Sequence, residues 1–297
     1  MTKTGFIAIV GRPNVGKSTL LNHILGEKVA IVSKRPQTTR NRITGIHTVE
    51  ENQFVFLDTP GLHNPRTKLG DFMVKSTDSA IGEADAAILV VEPREAVGDI
   101  EATIIERLKN RKMGAILAIN KIDTVTPLNV AKTIEAYSAA FDFDAVIPMV
   151  AKSGKSVDIL LSECERYLTP SPWFFPDDIV TDQPERQIAS EIIREKILRL
   201  LSEEIPHGTA VVIEAFEEGK KLIKIRAEIF CERESHKRII LGKQGSMLKT
   251  IGTYAREDLE KFFGIQIYLD LWVKVKENWR DSVFQLSNFG YNKNDIE

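Results

Sequence analysis

The sequence predicts an α/β domain with a mostly parallel sheet, followed by a smaller α+β domain. Three observations lead there. Strand-like apolar runs alternate with helix-like segments over residues 1–168, the pattern of a parallel sheet with crossover helices. A Pro-containing stretch without periodicity, residues 169–183, interrupts that alternation. Residues 184–297 then run helix, strand, strand, helix, loop, helix, strand.

In the first domain, strands are expected at Gly5–Val10, Gly45–Val49, Gln53–Asp58, Ala86–Val91, Gly114–Asn120 and Ala145–Val150. Helices are expected near Lys17–Leu25, Leu69–Ile81, Ile100–Lys109, Leu128–Ala140 and Ser156–Tyr167, where apolar residues recur at helical spacing. The gap Glu50-Glu51-Asn52 is too short for a crossover, so the strands flanking it should be antiparallel.

Thr169–Asp178 holds three prolines and reads as a semi-rigid linker, with Trp173, Phe174 and Phe175 packing on a domain. Pro184–Leu201 has an apolar stripe of Ile188, Ile192, Ile193, Ile197, Leu200 and Leu201. Glu191, Arg194, Glu195 and Lys196 fall mostly on its polar side. Strands follow at Thr209–Phe216, Lys221–Glu232 and Ile265–Lys276. The last two alternate apolar and polar residues, which gives each one buried face.

Composition narrows the function classes. A net charge of −2 gives no strong field toward nucleic acid or membrane, so such binding must come from a local patch. Cys164 and Cys231 read as reduced core residues, neither a disulfide nor a metal site. No signal peptide is visible, and no apolar run approaches the roughly 18 residues of a membrane span.

The most informative stretch is Gly11-Arg12-Pro13-Asn14-Val15-Gly16-Lys17-Ser18, which fits G-x-x-x-x-G-K-[ST] between a strand and a helix. Its glycines let backbone N–H groups point at phosphate oxygens, and the helix that continues through Thr19 adds its N-terminal dipole. Lys17 supplies a cation for the β- and γ-phosphates, and the Ser18 hydroxyl suits Mg²⁺. Asp58-Thr59-Pro60-Gly61 closes the third strand. Asp58 can hold Mg²⁺ through a water, and the Gly61 N–H can reach the γ-phosphate. Asn120-Lys121-Ile122-Asp123 ends the fifth strand. The two carboxylate oxygens of Asp123 match the paired N1–H and 2-amino donors of guanine, a pair adenine lacks, so the expected ligands are GTP and GDP. Val150-Ala151-Lys152 ends the sixth strand, where backbone N–H groups could meet the guanine carbonyl.

These motifs, in order and each at a strand end, resemble those of the translation-factor-type GTPases, with Val150 where that class usually has Ser. Pro36–Ile43, with Thr38-Thr39-Arg40 inside it, resembles the first switch of the Era-type GTPases. That resemblance implies that Thr39 coordinates Mg²⁺ and senses the γ-phosphate, with Thr38 the alternate, and that Lys17, Thr39 and Gly61 serve catalysis. Arg40 and Arg42 read as solvated, and Arg12 and His63 as surface residues. Leu62 stands where Ras-like enzymes carry a water-orienting Gln. Related GTPases without it use K⁺ held partly by a phosphate-loop Asn, the position of Asn14, so slow hydrolysis accelerated by K⁺ is expected.

In the second domain, Gly242-Lys243-Gln244-Gly245 is a G-x-x-G loop. Residues 235–256 carry Lys237, Arg238, Lys243, Lys249 and Arg256 and no acidic residue. The order of elements resembles a helix-first, type II KH domain, in which such a loop clamps about four nucleotides of single-stranded RNA. Lys237, Arg238, Gly242, Lys243, Gln244, Gly245 and Lys249 are the expected RNA contacts, with Ile240, Leu241 and Met247 either lining an apolar groove or equally part of the core. Across the whole chain the resemblance is to the bacterial Era-type GTPases. It implies binding of the 3′ end of small-subunit rRNA, a role in assembling the small ribosomal subunit, and a cytoplasmic protein peripheral to the inner membrane. A monomer is expected. The competing readings are a membrane-associated signalling GTPase and a tRNA-modification GTPase. The latter lacks its Cys-bearing tail and large N-terminal domain here.

Overall fold

The computed structural model describes residues 1–62 and 65–291, so His63 lies outside the described residues. The chain divides into two units.

The first unit is built on a sheet of β1 (Lys3–Val10), β2 (Ile43–Val49), β3 (Asn52–Asp58), β4 (Ala86–Val91), β5 (Gly114–Ile119) and β6 (Ala145–Pro148). Its order is β2-β3-β1-β4-β5-β6. β2 and β3 are antiparallel across their short turn, as expected, and the other neighbours in that order are parallel. The strands are buried on both faces, and alternate residues sort to opposite sides. Ile7 and Ile9 join a core with Leu20, Leu21 and Ile24 of α1 (Lys17–Leu25). Ala8 and Val10 join one with Ile81 of α2 (Lys68–Glu83), Ile104 and Leu108 of α3 (Asp99–Arg111) and Tyr137 of α4 (Pro127–Ala140). Val157, Leu160 and Cys164 of α5 (Val157–Cys164) complete the first of these cores. With both faces covered, the motif-bearing loops emerge together beyond the carboxyl ends of the parallel strands.

The linker expectation is corrected. Thr169–Pro170 forms a strand, β7, antiparallel to β1 at Lys3 and Thr4. The fully buried Gln53 side chain binds Phe174 and Phe175 through their backbone, and the Phe174 ring lies 5.2 Å from that of Phe6. Val180 accepts the Ile46 N–H, and the Thr181 hydroxyl donates to the Thr44 carbonyl. The segment through Asp182 therefore belongs to the first unit and is no free spacer.

The second unit contains α6 (Glu185–Leu200), β8 (Ala210–Glu218), β9 (Leu222–Cys231), α7 (Glu234–Leu241), α8 (Ser246–Phe263), β10 (Gln266–Val275) and α9 (Val283–Asn288). Its sheet runs β10-β9-β8, with β8 antiparallel and β10 parallel to β9. Ile193, Ile197, Ala227, Ile229, Ile251 and Ala255 form its centre. Trp279 is fully buried and donates its indole N–H to the Gly208 carbonyl.

Two features of this unit were not foreseen. The polar side of α6 is inside the protein, because Arg194, Glu195 and Lys196 are all buried. Arg194 pairs with Glu191, and Lys196 with Glu195 and with Asp258 of α8, so the charges are neutralised inside the unit. The segments Ile31–Thr38 and Pro65–Phe72 also cluster here rather than with the first unit. Arg35 donates to the Leu198 and Leu201 carbonyls at the end of α6, and Arg194 to the Thr38 carbonyl.

Candidate functional site

The phosphate loop has the backbone its motif requires. Gly11 adopts φ +149°, and a Cβ there would stand 2.3 Å from the Val90 carbonyl oxygen. Gly16 adopts φ +106° at the start of α1, where a Cβ would meet the Asn120 amide nitrogen at 2.2 Å. Lys17 is buried, and its ammonium donates to the carbonyls of Gly11 (3.1 Å) and Arg12 (3.0 Å). Burial lowers its pKa to about 8, against the raising influence of Asp58.

Three hard oxygen ligands converge beside it. The Ser18 hydroxyl donates to Asp58 Oδ2 at 2.6 Å and lies 2.9 Å from Thr39 Oγ1. Asp58 is fully buried, and its Oδ1 has no hydrogen-bond partner among the described residues. Burial pushes its carboxyl up to about 6, with Lys17 and the Ser18 hydroxyl pulling the other way. An orphaned buried carboxylate oxygen beside two hydroxyls is the donor set that Mg²⁺ prefers. The arrangement also separates the two threonines, because the Thr38 hydroxyl is spent on the Arg35 carbonyl and on Ser33.

The Asp58–Gly61 segment is held against the phosphate loop. Thr59 binds the Ile9 carbonyl through both N–H and hydroxyl, Thr77 donates to the Pro60 carbonyl, and the Leu62 N–H reaches Gly11. A Cβ on Gly61 would lie 2.5 Å from the Pro13 nitrogen. The Leu62 side chain is buried in the core.

On the base side, Asn120 ties two loops together. Its amide donates to the Val15 carbonyl (2.7 Å), and its oxygen accepts the Ala151 N–H (2.8 Å). Lys121 donates to the Asn14 carbonyl at 2.7 Å. Ile122, Asp123, Val150 and Lys152 line a cavity of about 690 Å³. The three N–H groups expected to meet guanine are used differently. That of Val150 goes to the Lys155 carbonyl and that of Ala151 to Asn120, while that of Lys152 has no partner among the described residues.

Two basic residues depart from expectation. Arg12 is mostly buried, ion-paired with Glu101 at 2.5 Å and with Glu92 at 3.5 Å. Arg40 is 2% exposed rather than solvated, whereas Arg42 pairs with Glu83 near the surface. Nothing in residue type announced the first two, because their buried surroundings come from distant elements.

In the second unit, Gly242 (φ +71°) ends α7 and Gly245 (φ +78°) begins α8. A Cβ on Gly245 would meet nothing within 4 Å, so the backbone there is open to an approaching group. Lys243, Gln244 and Lys249 are exposed, as is Arg238, and Lys237 is half-buried. Beside the loop runs a groove of about 390 Å³ lined by Gly245, Leu248, Gly252, Thr253, Leu269 and Leu271, with Lys249 and Arg256 at its margin. Of the two readings of Ile240, Leu241 and Met247, the core one holds, because Ile240 is fully buried and Leu241 and Met247 pack onto the core. The groove's far wall is the edge strand β10. The Ile267 N–H points away from β9 to Glu260 of α8, so by strand alternation Leu269 and Leu271 turn their N–H and C=O groups into the groove.

Comparison with known proteins agrees with both halves. Residues 6–121 match the family described as 50S ribosome-binding GTPase, and residues 204–280 match the KH domain. GTPase Era of Clostridium acetobutylicum is 51% identical over 98% of both chains. This chain belongs to the Era family of GTPases. GTPase Era of Clostridium novyi is also 51% identical, over 98% of this chain and 99% of its own. Two solved Era structures superpose with TM-scores of 0.94, each covering 98% of this chain and 99% of its own. One is a variant of the Aquifex aeolicus protein bound to GDP·AlF4⁻, 38% identical. The other is Era in complex with MgGDPNP and nucleotides 1506–1542 of 16S ribosomal RNA, 39% identical.

Proposed function

We propose that this chain is a Mg²⁺-dependent GTPase whose KH unit binds the 3′ end of small-subunit rRNA and which acts in assembling the small ribosomal subunit. One observation carries the reading: a complete phosphate, metal and guanine constellation shares a chain with a basic G-x-x-G loop beside an apolar groove whose edge strand offers free backbone groups. Relatives support it, since an Era structure holds a GTP analogue with Mg²⁺ and a 16S rRNA segment.

Ser18, Thr39 and Asp58, the last through a water, would hold the Mg²⁺, which neutralises charge on the β- and γ-phosphates when bound. Lys17 supplies the fixed positive charge, held in place by two carbonyls of its own loop. The Gly61 N–H is the candidate donor to the γ-phosphate, and Asp123 reads guanine. Catalysis here rests on positioning and charge rather than on a side-chain base. Leu62, packed in the core, cannot orient a water. Asn14, exposed with φ +66° in the phosphate loop, is the candidate K⁺ ligand. Hydrolysis that is equally fast in Na⁺ and K⁺ would remove that role.

In the second unit, Gly242 and Gly245 let the backbone approach RNA phosphates, with Lys237, Arg238, Lys243, Gln244 and Lys249 around them. Bases would enter the groove between Leu248 and Leu271. The decisive experiment is binding of a single strand matching the 3′ end of small-subunit rRNA, with a non-hydrolysable GTP analogue and with GDP. Replacing Lys243 and Gln244 by Asp should abolish it and leave nucleotide affinity intact. Retained RNA affinity would sink the KH assignment. No described helix is long and apolar enough to cross a membrane. A cytoplasmic monomer with peripheral attachment to the inner membrane completes the proposal, tested by sedimentation of the purified chain and by its partition into membrane fractions.

A further inference from the structure

A charged network, two of whose members lie outside every nucleotide-binding motif, joins the two halves of the GTP site. Arg12, the first variable residue of the phosphate loop, is held by Glu101 of α3, a carboxylate only 1% exposed. Its other side faces Glu92, at the end of β4. Glu92 in turn binds the Lys121 ammonium, which also donates to the Asn14 carbonyl. Both ends of the chain reach groups that touch nucleotide. The Arg12 carbonyl holds the Lys17 ammonium, and Lys121 lies two positions before the guanine-reading Asp123. The fully buried Tyr137 feels the same charges without hydrogen-bonding to them, its phenol pushed up by burial and by the Glu101 charge.

We propose that Glu92 and Glu101 are positioning residues of the GTPase site, locking the phosphate loop and the Asn120–Asp123 loop into one body and thereby setting how long a guanine nucleotide stays bound. The physical ground is that two carboxylates and two cations compensate each other, Glu101 fully buried, Arg12 mostly so and Glu92 and Lys121 about a third exposed, so that removing one charge leaves its partners uncompensated in a site solvent reaches only in part. Arg12 would then be free to leave α3, and Lys121 would lose the group that aims it. The partners of both carboxylates are Arg12 and Lys121 rather than Lys17, Ser18, Thr39 or Asp58, so the chemical step is not their task. The inference rests on the GTPase assignment.

The test is the dissociation rate of fluorescent GDP and of a fluorescent GTP analogue from the full chain, with turnover at saturating GTP beside it. Glu92→Gln keeps size and should speed both dissociations about tenfold, with turnover within about twofold of the native chain. Glu101→Gln should act in the same direction. Glu92→Asp, which retains the charge, should recover part of the loss. Glu95→Gln breaks a comparable but exposed pair with Lys132 and should change nothing. A purely structural role would lower the folded fraction or the melting temperature without altering the dissociation rate of the folded molecules. If Glu101→Gln does not fold, Glu92, at 32% exposure, carries the test alone. Dissociation rates within twofold of native for Glu92→Gln overturn the proposal. A native chain that binds no guanine nucleotide would instead overturn the assignment beneath it.

Discussion

Asn120→Asp separates the two hydrogen bonds that join the phosphate loop to the base-side loops. The native amide donates to Val15 at 2.7 Å and accepts from Ala151 at 2.8 Å, in a side chain 3% exposed. The substitution keeps size and keeps the acceptor for Ala151. It replaces the donor with a carboxylate oxygen facing the Val15 carbonyl. A lost buried bond with an unsatisfied acceptor costs about 1–3 kcal/mol, and the buried charge adds to it, giving about 2–4 kcal/mol near neutral pH. The new carboxyl escapes part of this by protonating, so its folded pKa is raised above its unfolded value. Its protonated form can again donate to Val15. The sign follows: the stability regained at low pH is lost as pH rises through the raised pKa. Urea unfolding between about pH 5 and pH 8 should show a deficit that narrows on acidification, whereas Asn120→Ala should show one that does not. A deficit below about 0.5 kcal/mol, or one identical at both ends of the range, would refute the account of Asn120 as a double tether.

Mg²⁺ needs Asp58 ionised, and burial holds its carboxyl at about 6 in the metal-free chain, so Mg²⁺-dependent GDP affinity should fall about tenfold per pH unit below that value and be flat above it. The same shift means that the metal-free fold is favoured by the proton at low pH and loses that contribution as pH rises through about 6; titration calorimetry showing no proton release on Mg²⁺ binding near pH 5.5 would contradict both. Gly61→Ala puts a Cβ 2.5 Å from the Pro13 nitrogen and should cut hydrolysis at least about tenfold while GDP affinity stays within about threefold. Gly245→Ala, whose Cβ meets nothing, should lower RNA affinity with about 1 kcal/mol of stability lost, whereas Gly242→Ala, with its Cβ 2.7 Å from that of Met247, should cost more stability; equal melting temperatures would count against this split. Cys164, buried and with its thiol pushed up to about 12, should resist thiol reagents near pH 8 until the first unit unfolds, as followed by labelling in urea.

The GTP site was legible because its chemistry is written in short, fixed spacings. Gly11–Ser18, Asp58–Gly61 and Asn120–Asp123 each sit where a strand ends, and the fold needed only to bring those ends together. The G-x-x-G loop was legible for the same reason. What was not legible depends on partners from elsewhere in the chain. Arg194, Glu195 and Lys196 look like a solvated helix face until Glu191 pairs with Arg194, Asp258 with Lys196, and Lys196 and Arg199 with Glu195. Arg12 looks like a surface residue until α3 delivers Glu101. The strand residues of the groove were not named in advance because Leu269 and Leu271 show the alternation of a buried strand, and only their place on an edge strand leaves them half open. The aromatics of the linker pack on a domain as expected, but the strand pairing of Thr169 and Pro170 was not legible, because prolines signal stiffness, not what a stiff segment pairs with.

That pinned segment has a consequence for how the protein is made. β1 is synthesised long before Thr169 and Pro170, yet part of its pairing comes from them, and the buried Gln53 finds its partners at Phe174 and Phe175. These are contacts of very long sequence separation, which close late in folding. On a translating ribosome the GTPase unit is therefore left with an open seam until its last residues have emerged from the exit tunnel, while the KH unit is still being synthesised. A nascent chain arrested with residue 168 at the tunnel mouth should be far more sensitive to protease than one released to Asp182.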